Sequence, residues 1–317
     1  MQSVAEQGGA DQSLGWIGAG RMGTAMASLV LKAGYDLTVF NRTRAKTEPL
    51  LALGAKAADT VADLGPCDVV FVTVASSDDL LAVLGGEGGL LGSGQLPGIV
   101  VDCSTVSAEA SAQARAMAEA KGVGFLAAPV SGNPKVVTAG RMTMVVSGPR
   151  AAFDAVEPYL RLVAQEATYV GEGELSRLVK LCHNLFLGVM IQSLAEVTVL
   201  AEKGGVRRAD LLNFINNSVL GSPFSRYKTP NLVNLAFEPS FTTRLLRKDF
   251  DLGLGAARSL EVPMPVAASV HQRLGEAIGH GMGEMDFAAL VELEAKGAGM
   301  ELVSESVDVD DGLHPLD

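Results

Sequence analysis

The sequence predicts an α/β protein with an N-terminal doubly wound parallel sheet, a long interdomain helix and an all-α C-terminal domain. In the first half, short apolar runs alternate with helical patterns, which is typical of β–α–β units that build a parallel sheet. From Leu175 to Lys203, helical periodicity continues without a proline. Beyond Gly204, only helical patterns occur between glycine and proline breaks, which favours an all-α second half.

The first strand–turn–helix unit lies in residues 14–44. An apolar run opens it, and Gly18, Gly20 and Gly23 follow with the spacing G-x-G-x-x-G. A helical pattern comes next, and residues 37–40 (LTVF) predict a second strand. A glycine motif between a strand and a helix is the context that a dinucleotide-binding (Rossmann) fingerprint requires.

Each glycine of this motif has a physical task. Gly18 permits a tight turn, Gly20 lets the backbone approach a pyrophosphate, and Gly23 lets the helix pack closely on the strand. The free N–H groups and the positive dipole end of the helix then attract the phosphates. The predicted phosphate-binding residues are Gly18, Ala19, Gly20, Arg21, Met22 and Gly23.

The end of the second predicted strand indicates which dinucleotide is used. A cofactor with a free ribose 2′-hydroxyl usually meets Asp or Glu at this point. This chain has Asn41, Arg42 and Thr43 there, so no acid is expected to repel a 2′-phosphate. The guanidinium of Arg42 offers a planar donor fork that suits a phosphate. The sequence therefore predicts NADP in preference to NAD, with these three residues at the cofactor.

Composition limits the classes of protein that remain. Hydrophobic residues make up 48% and charged residues 19% of the 317 residues, which is typical of a globular protein. The net charge of −11 argues against non-specific nucleic-acid binding. Cys67, Cys103 and Cys182 form no C-x-x-C pair, so neither a disulfide framework nor a metal site is expected. No signal peptide or membrane span is expected either, and the predicted location is cytoplasmic.

Changes of pattern along the chain predict its domains. A dinucleotide-binding domain is predicted over residues 12–170, an all-α substrate and dimerisation domain over 171–300, and a flexible acidic tail over 301–317. After the first unit, strands are predicted at 55–57, 67–74, 98–102, 124–130, 142–147 and 168–170. Helices are predicted at 45–53, 77–84, 107–121, 151–162, 175–203, 208–217, 241–260, 265–280 and 286–296.

Several short motifs, taken together and in order, resemble those of the β-hydroxyacid dehydrogenase family. The resemblance covers residues 14–298 and is more specific than any one motif. The motifs are GAGRMG at 18–23, DCST at 102–105, APVSG at 128–132, GRMTMVVSG at 140–148, KLCHN at 180–184 and RKDFDL at 247–252.

The resemblance implies catalytic roles for Lys180 and Asn184. In the family, a lysine early in the long helix donates and accepts the proton, and Lys180 matches it. An ammonium suits this task because hydride transfer to a carbonyl carbon leaves an alkoxide that needs a proton. Asn184 lies four residues later on the same helix face and matches the asparagine that orients the substrate or the lysine. His183 stands where the family usually has another asparagine, and it is assigned no catalytic role.

The resemblance also implies which residues bind the substrate. The family binds a substrate carboxylate on a Ser-Gly-Gly turn, which matches Ser131, Gly132 and Asn133 with an asparagine in the last place. Ser104 matches a residue that flanks the substrate. Because Ser107 is the better cap for the following helix, Ser104 is expected to stay free for a ligand.

Further cofactor contacts follow from the same resemblance. Val74 and Ala75 end a predicted strand and are expected to line the nicotinamide pocket through their backbone. Thr105 is expected to flank the nicotinamide. Lys248 matches a lysine that closes over the cofactor, although a solvated pair with Asp249 is the alternative for this position.

These features predict an NADP-dependent oxidoreductase that interconverts a small 3-hydroxy acid and its semialdehyde. The expected partners are a small carboxylate-bearing substrate and a second copy of the chain in a homodimer or homotetramer, without a nucleic acid or a membrane. Two alternatives remain, namely an imine reductase on the same scaffold and a non-catalytic dinucleotide-binding module. Both usually lack a lysine at the position of Lys180, so its presence disfavours them.

Overall fold

The computed structural model describes residues 12–92 and 94–313 and divides the chain into two compact units. The N-terminal unit extends to Lys180, and the C-terminal unit begins at Leu181. The predicted absence of a signal peptide concerns residues 1–11, and the predicted tail includes residues 314–317. Both segments lie outside the described residues.

A parallel sheet forms the centre of the N-terminal unit. Its strands are β1 (Leu14–Ile17), β2 (Leu37–Phe40), β3 (Lys56–Ala57), β4 (Val69–Val72), β5 (Ile99–Asp102) and β6 (Gly124–Ala127). The order is β3-β2-β1-β4-β5-β6, and every pairing is parallel. All four positions of β1 and of β4 are buried, as expected for central strands of a parallel sheet. The predicted doubly wound sheet is confirmed.

Six helices in the described part of the N-terminal unit pack with this sheet, and all but α5 overlap predicted helices. They are α1 (Arg21–Lys32), α2 (Glu48–Leu51), α3 (Ser77–Gly85), α4 (Ala108–Glu119), α5 (Pro134–Thr138) and α6 (Arg150–Val163). The hydroxyl of Ser107 accepts a hydrogen bond of 3.1 Å from the N–H of Ala110, so Ser107 caps α4 as predicted. Helix α5 was not predicted. It begins because Asn133 accepts from the N–H of Val136 and Pro134 occupies the first helical position.

Three short strands form a second sheet, and here the predicted single strand over 124–130 is wrong. The strands are β7 (Val130–Ser131), β8 (Thr143–Val146) and β9 (Glu166–Tyr169). Strand β7 runs antiparallel to β8, and β8 runs parallel to β9. The break falls at Pro129, which has no N–H to donate to a ladder. An isolated antiparallel bridge between Ala127 and Ser147 links the end of β6 to the second sheet.

The second half of the described chain is helical, as predicted. Its helices are α7 (Leu175–Lys203), α8 (Arg208–Asn217), α9 (Pro223–Asn234), α10 (Thr243–Ser259), α11 (Pro265–Gly279) and α12 (Leu290–Gly297). The core of the C-terminal unit includes Leu185, Phe250 and Leu290. A Cβ at Gly188 would lie 2.3 Å from Cε2 of Phe250, so this glycine allows α7 and α10 to pack closely.

Helix α9 is not among the predicted helices, because the glycine and proline in residues 221–223 (GSP) predict a break between helices. Pro223 stands at the first helical turn, where its missing N–H costs nothing. The hydroxyl of Ser222 accepts a hydrogen bond of 3.0 Å from the N–H of Ser225 and caps the helix. This glycine and proline therefore mark the start of a helix and not a loop.

The segment 301–313 has no regular secondary structure but packs on the C-terminal unit. Leu302, Val307 and Val309 contact its hydrophobic core. The side-chain amide of Asn234 donates to the carbonyl of Val307 at 2.8 Å and accepts from its N–H at 3.2 Å. A carboxylate of this segment, Glu305, accepts hydrogen bonds of 2.6 and 3.2 Å from the first two N–H groups of α8. The segment therefore packs on the helical unit at these residues, and the flexibility of the acidic tail stays a prediction.

Helix α7 is long and apolar enough to cross a membrane when only length and composition are considered. Its most apolar window of 18 residues has a mean hydropathy of 1.6, and 44% of that window is buried in the structure. A core helix passes the same test, so this finding alone is weak evidence for a membrane span. The expectation that the chain has no membrane span stays a prediction.

Candidate active site

The glycine turn between β1 and α1 has the geometry of a phosphate cradle. Gly18 has a φ of +99°, and a Cβ there would lie 2.0 Å from the carbonyl oxygen of Thr73. A Cβ at Gly23 would lie 1.9 Å from the carbonyl oxygen of Gly18. Both positions therefore require glycine for the turn itself to form.

Gly20 differs from the other two glycines. No atom lies within 4 Å of the position of a Cβ at Gly20, and this residue is exposed. The protein's own packing therefore does not require glycine here, whereas a ligand that approaches the backbone does. Gly20 precedes α1, a helix of 12 residues with no acid in its first turn, so its N–H groups and dipole favour an anion. These residues fit the pyrophosphate of a dinucleotide.

Neighbouring strands hold the turn in place. Oδ1 of Asn41 accepts a hydrogen bond of 2.9 Å from the N–H of Ala19, and the amide of Asn41 donates to the carbonyl of Thr43 at 2.9 Å. The hydroxyl of Thr73 donates to the carbonyl of Gly18 at 2.9 Å and accepts from the indole of Trp16 at 2.8 Å. Asn41 thus acts on the predicted cofactor site by fixing the turn. Thr73 and Trp16 were not predicted.

Arg42 lies at the end of β2, and its side chain is 89% exposed. Its Nη1 atom lies 3.2 Å from a carboxylate oxygen of Asp79, near the start of α3. The expectation that no acid would repel a 2′-phosphate here is therefore wrong. Asp79 is 37 positions from Arg42 in the chain, and the fold brings the two side chains together. Arg44 pairs in the same way with Asp59.

Ser104 lies at the carboxyl end of β5 and is buried. Its hydroxyl accepts a hydrogen bond of 2.9 Å from the N–H of Val74. The expectation that Ser104 stays free is wrong, since its oxygen connects the ends of β4 and β5. Thr105 is half-buried and Ala75 is exposed, and they follow β5 and β4, which end at the same sheet edge. Ligands of doubly wound sheets bind at this edge.

The predicted carboxylate turn adjoins β7 in the same unit. Gly132 has a φ of +145°, and a Cβ there would lie 3.0 Å from a methyl group of Val136, so glycine is required. Ser131 is half-buried, whereas Asn133 is buried and spends its side-chain oxygen on the N–H of Val136 at 3.1 Å. Asn133 thus organises α5, and Ser131 and Gly132 are the more accessible members of the turn.

Lys180 is the last residue of the N-terminal unit and is only 9% exposed. Leu181 and Leu185 beside it are buried, but Leu178 and Val179 are 37% and 43% exposed. The four apolar neighbours predict from the sequence a largely buried stretch around Lys180, and this prediction is wrong for Leu178 and Val179. The lysine lies on the buried face of α7, and the exposed pair lies on another face.

Asn184 follows Lys180 by one turn and is buried. Its amide donates a hydrogen bond of 2.5 Å to Oδ2 of Asp249, which is also buried. Nζ of Lys248 lies 3.5 Å from Oδ1 of the same carboxylate, and Nδ1 of His183 lies 2.9 Å from Oδ1 of Asn184. The C-terminal unit therefore brings Asn184, Asp249 and Lys248 together, with the two charged residues adjacent in the motif RKD.

An ion pair at the start of α7 was not predicted. Nη2 of Arg177 donates a hydrogen bond of 2.5 Å to Oδ2 of Asp102 at the end of β5, and both side chains are almost completely buried. The pairing joins residues 75 positions apart, so it left no pattern in the sequence. The one indication in the sequence was that Arg177 precedes Lys180 by about one turn in a mostly apolar stretch, where a charged side chain needs a partner.

Two cysteine thiols of the N-terminal unit are held neutral. Burial raises the pKa of the Cys67 thiol to about 11, with a smaller contribution from the charge of Asp68. Burial also raises the pKa of the Cys103 thiol, beside Asp102 and Ser104. Among the described residues, no group of three or more His, Cys, Asp or Glu could hold a metal ion.

The parallel sheet with its glycine cradle, followed by a helical unit, defines a dinucleotide-binding protein, and the chain belongs to the β-hydroxyacid dehydrogenase family. Residues 13–171 match the family model described as the NAD binding domain of 6-phosphogluconate dehydrogenase. Residues 174–293 match the family model described as NAD-binding of NADP-dependent 3-hydroxyisobutyrate dehydrogenase. The resemblance found in the sequence is confirmed, and members of the family act on CH–OH groups with NAD(P).

Three curated relatives extend this assignment. Glyoxylate/succinic semialdehyde reductase 2 of Arabidopsis thaliana is 30% identical over 281 residues, covering 88% of this chain and 78% of the relative. The uncharacterized oxidoreductase YfjR of Bacillus subtilis is 36% identical, covering 87% and 97%. The 2-(hydroxymethyl)glutarate dehydrogenase of Eubacterium barkeri is 29% identical, covering 88% and 94%.

Solved structures share the fold. The 3-hydroxyisobutyrate dehydrogenase of Salmonella typhimurium is 27% identical with a TM-score of 0.81, covering 89% of this chain and all of that chain. An imine reductase of Myxococcus stipitatus in complex with NADP+ is 26% identical with a lower TM-score of 0.57, covering 88% and 98%.

Proposed function

We propose that the protein is an NADP-dependent oxidoreductase that interconverts a small 3-hydroxy acid and its semialdehyde. The observation that carries the proposal is the burial of Lys180 on α7 in a chain whose β1–α1 turn fits a dinucleotide. Lys180 matches the lysine that transfers the proton in the family, and burial suits that task because an ammonium in a dry site interacts more strongly with a growing negative charge.

The chemistry assigns each part of the chain a task. Bound NADPH supplies a hydride to the carbonyl carbon, and the carbonyl oxygen then needs one proton to become a hydroxyl. Nζ of Lys180 donates that proton during reduction and takes it back during oxidation. The charge of the ammonium also stabilises the oxygen as its negative charge grows. Asn184 orients the substrate or the lysine from one helical turn away, with its own amide fixed by Asp249.

The proposed substrate carries a carboxylate close to the carbonyl. The turn at Ser131 and Gly132 offers a hydroxyl and backbone N–H groups at the surface of the N-terminal unit, which suits a small anion. Two relatives support this class, since one is named for glyoxylate and succinic semialdehyde and another for 2-(hydroxymethyl)glutarate. All three compounds are small carboxylates.

The proposed preference for NADP rests on Arg42. Its exposed guanidinium stands at the end of β2, where dinucleotide-binding domains meet the 2′ position of the ribose. Asp79 partly neutralises this charge, so we propose a preference for NADP rather than exclusive use of it.

We also propose a homodimer or homotetramer in the cytoplasm, with no nucleic-acid or membrane partner. Large apolar side chains of the C-terminal unit are exposed, as expected for surfaces that pair with another copy. They include Phe186, Leu200, Phe214, Val219 and Leu220. The described cysteines form no disulfide, which is compatible with a reducing compartment.

A substrate panel tests the proposed function. NADPH oxidation is followed by absorbance with succinic semialdehyde, tartronate semialdehyde and glyoxylate, and with a cyclic imine as the competing substrate. Lys180→Ala is expected to lower kcat by about 100-fold or more, the scale of a lost general acid, while NADPH still binds. Lys203→Ala, at the other end of α7, is the matched control and should keep wild-type turnover.

The panel also separates the two alternatives. The imine reductase structure is a specific reason to include the imine, but its TM-score is well below that of the 3-hydroxyisobutyrate dehydrogenase structure. Reduction of the imine without reduction of any aldehyde would replace the proposed function. Tight NADPH binding without turnover of any compound would indicate a non-catalytic binding module.

A further inference from the structure

The guanidinium of Arg177 has three partners inside the N-terminal unit. Nη2 donates to Asp102 at 2.5 Å, Nε donates to the hydroxyl of Ser111 at 3.0 Å, and Nη1 donates to the backbone carbonyl of Ser104. The side chain of Arg177 is 1% exposed and that of Asp102 is 0% exposed. The first turn of α7 is therefore held at the end of β5 by a fork of charge-assisted hydrogen bonds.

The same network fixes the loop that follows β5. Oδ1 of Asp102 accepts a hydrogen bond of 3.0 Å from the N–H of Ser104, and the hydroxyl of Ser104 accepts from the N–H of Val74. Arg177 thus bonds to both ends of a three-residue loop that leads into Thr105. This loop lies at the sheet edge where the substrate and nicotinamide are proposed to bind.

Lys180 follows Arg177 by three residues. On an α-helix this spacing corresponds to a rise of about 4.5 Å and places both side chains on one face. Any rotation or shift of the first turn of α7 moves Nζ of Lys180 with it. Proton transfer needs the donor within hydrogen-bond reach of the oxygen, so small displacements are costly to the rate.

We propose that Arg177 is a positioning residue for the proton transfer assigned to Lys180. By clamping α7 to Asp102 and to the carbonyl of Ser104, it sets the distance between the lysine and the loop at residues 102–104. The inference rests on the proposed function, because the oxygen that receives the proton is the one that the proposed reaction creates.

Other bonds keep the helix attached without Arg177. Nε of Arg115 donates to Glu174 at 3.0 Å, and the hydroxyl of Ser176 donates to the carbonyl of Ala127 at 2.8 Å. A buried ion pair is moreover weak evidence for stability, since apolar residues of similar size often serve as well. What Arg177 adds is a defined position relative to the loop.

The experiment compares Arg177→Lys and Arg177→Met in the full-length protein. Arg177→Met should lower kcat by about 10- to 100-fold through misplacement of Lys180. The KM and the Kd for NADPH should each change by less than about threefold, because Asp102 and the N–H of Val74 still hold Ser104 in the loop. Arg177→Lys should recover part of kcat, because an ammonium keeps the charge but cannot span three partners. Arg115→Met is the matched control, as it cuts the neighbouring tie to Glu174 but should leave kcat within about twofold.

A second variant protects the test against misfolding. Arg177→Met leaves Asp102 buried without its partner, so the double variant Arg177→Met/Asp102→Asn removes both charges. The same loss of kcat with NADPH affinity retained is expected for this double variant. A wild-type kcat in a folded variant would overturn the inference, and so would a loss of NADPH affinity equal to the loss of kcat.

Acylation of lysines gives a readout that needs no substrate. In the wild type, burial should keep Lys180 slow towards acetic anhydride, and Arg177→Met should accelerate its labelling about tenfold relative to Lys203, as a loosened turn opens. If the wild type reduces no aldehyde, the proposed function fails, and the labelling experiment alone tests whether Arg177 positions Lys180. Equal labelling of Lys180 in both proteins would then overturn the role of Arg177.

Discussion

The side-chain amide of Asn184 donates a hydrogen bond of 2.5 Å to the carboxylate of Asp249, and both groups are buried. The bond joins α7 to α10 and fixes which way the amide of Asn184 points. Nζ of Lys248 forms an ion pair with the same carboxylate at 3.5 Å from Oδ1. The orientation of a proposed catalytic residue is thus set by a carboxylate 65 residues away.

Replacing Asp249 should therefore affect both stability and turnover. Asp249→Ala leaves the buried amide of Asn184 without this acceptor, which should cost about 1–3 kcal/mol in the free energy of unfolding. Turnover should fall by about tenfold or more, as for other residues that orient a functional group. Chemical denaturation and steady-state kinetics measure the two effects. Asp251→Ala, on the exposed side of the same helix, should change neither by a comparable amount, and a wild-type kcat for Asp249→Ala would contradict the prediction.

The pair between Arg42 and Asp79 should tune the choice of cofactor. Asp79→Asn removes the negative charge 3.2 Å from the guanidinium, so a 2′-phosphate should bind more tightly and the ratio of kcat/KM with NADPH to that with NADH should rise by about three- to tenfold. Arg42→Ala should lower the same ratio. Arg44→Ala, which breaks the nearby exposed pair with Asp59, is the control. An unchanged ratio in both Asp79→Asn and Arg42→Ala would show that Arg42 does not contact the cofactor.

Substitution by alanine should affect NADPH binding at one glycine and stability at another. At Gly20 the space for a Cβ is open, so Gly20→Ala should keep the wild-type Tm but weaken NADPH binding by about tenfold or more. At Gly188 a Cβ would overlap the ring of Phe250, so Gly188→Ala should lower the free energy of unfolding by about 1–3 kcal/mol. Thermal unfolding and NADPH fluorescence titration read the two effects. Wild-type NADPH affinity in Gly20→Ala would refute the cradle.

The carboxylate of Glu305 should act as the missing cap of α8. Arg207 precedes this helix and gives no side-chain cap, and Glu305 accepts hydrogen bonds from the N–H groups of Arg208 and Ala209 instead. Glu305→Ala should cost about 1–2 kcal/mol in stability, the usual value of a cap at a helix N-terminus. Glu301→Ala, an exposed acid in the same segment, should cost almost nothing. Equal effects of the two variants in denaturant titrations would exclude capping by Glu305.

The three cysteines should differ strongly in their reaction with iodoacetamide. Cys182 is exposed on α7, whereas Cys67 and Cys103 are buried. Alkylation requires the thiolate, and a pKa of about 11 keeps Cys67 protonated below that pH. At pH 8, peptide mass spectrometry of the native protein should find label on Cys182 first, and on the other two only after denaturant is added. Early labelling of Cys103 would show that the loop after β5 opens.

Most of the N-terminal sheet could be predicted from the sequence because its signals are local. A few neighbouring residues suffice to predict the apolar strands β1 (Leu14–Ile17) and β4, and the same holds for the glycine turn. The helix α9 could not be found in this way, since Pro223 was interpreted as a break although it stands at a permitted position in the first turn. A proline in the sequence fits both a break and a helix start. Only the hydrogen bond between the hydroxyl of Ser222 and the N–H of Ser225 shows that a helix starts here.

The parts of the site that were missed depend on pairing across long stretches of chain. Arg42 was predicted as a phosphate ligand, but the opposing Asp79 comes from a different helix. Ser104 was predicted as a free hydroxyl, but the N–H of Val74 reaches it only once β4 and β5 are aligned. Arg177 and Asp102 likewise meet only in the folded chain. Local patterns identify functional residue types, whereas the bonds that orient them arise from topology.

The binding of Glu305 and Val307 to α8 and α9 has a consequence for biosynthesis. Because late residues complete the hydrogen bonding of earlier helices, the helical unit reaches its final form only after the ribosome has passed this segment. The six strands of the parallel sheet all lie before residue 128, so this sheet can assemble while translation continues. Nascent chains halted before residue 305 should therefore hold a formed nucleotide cradle beside an unfinished helical partner.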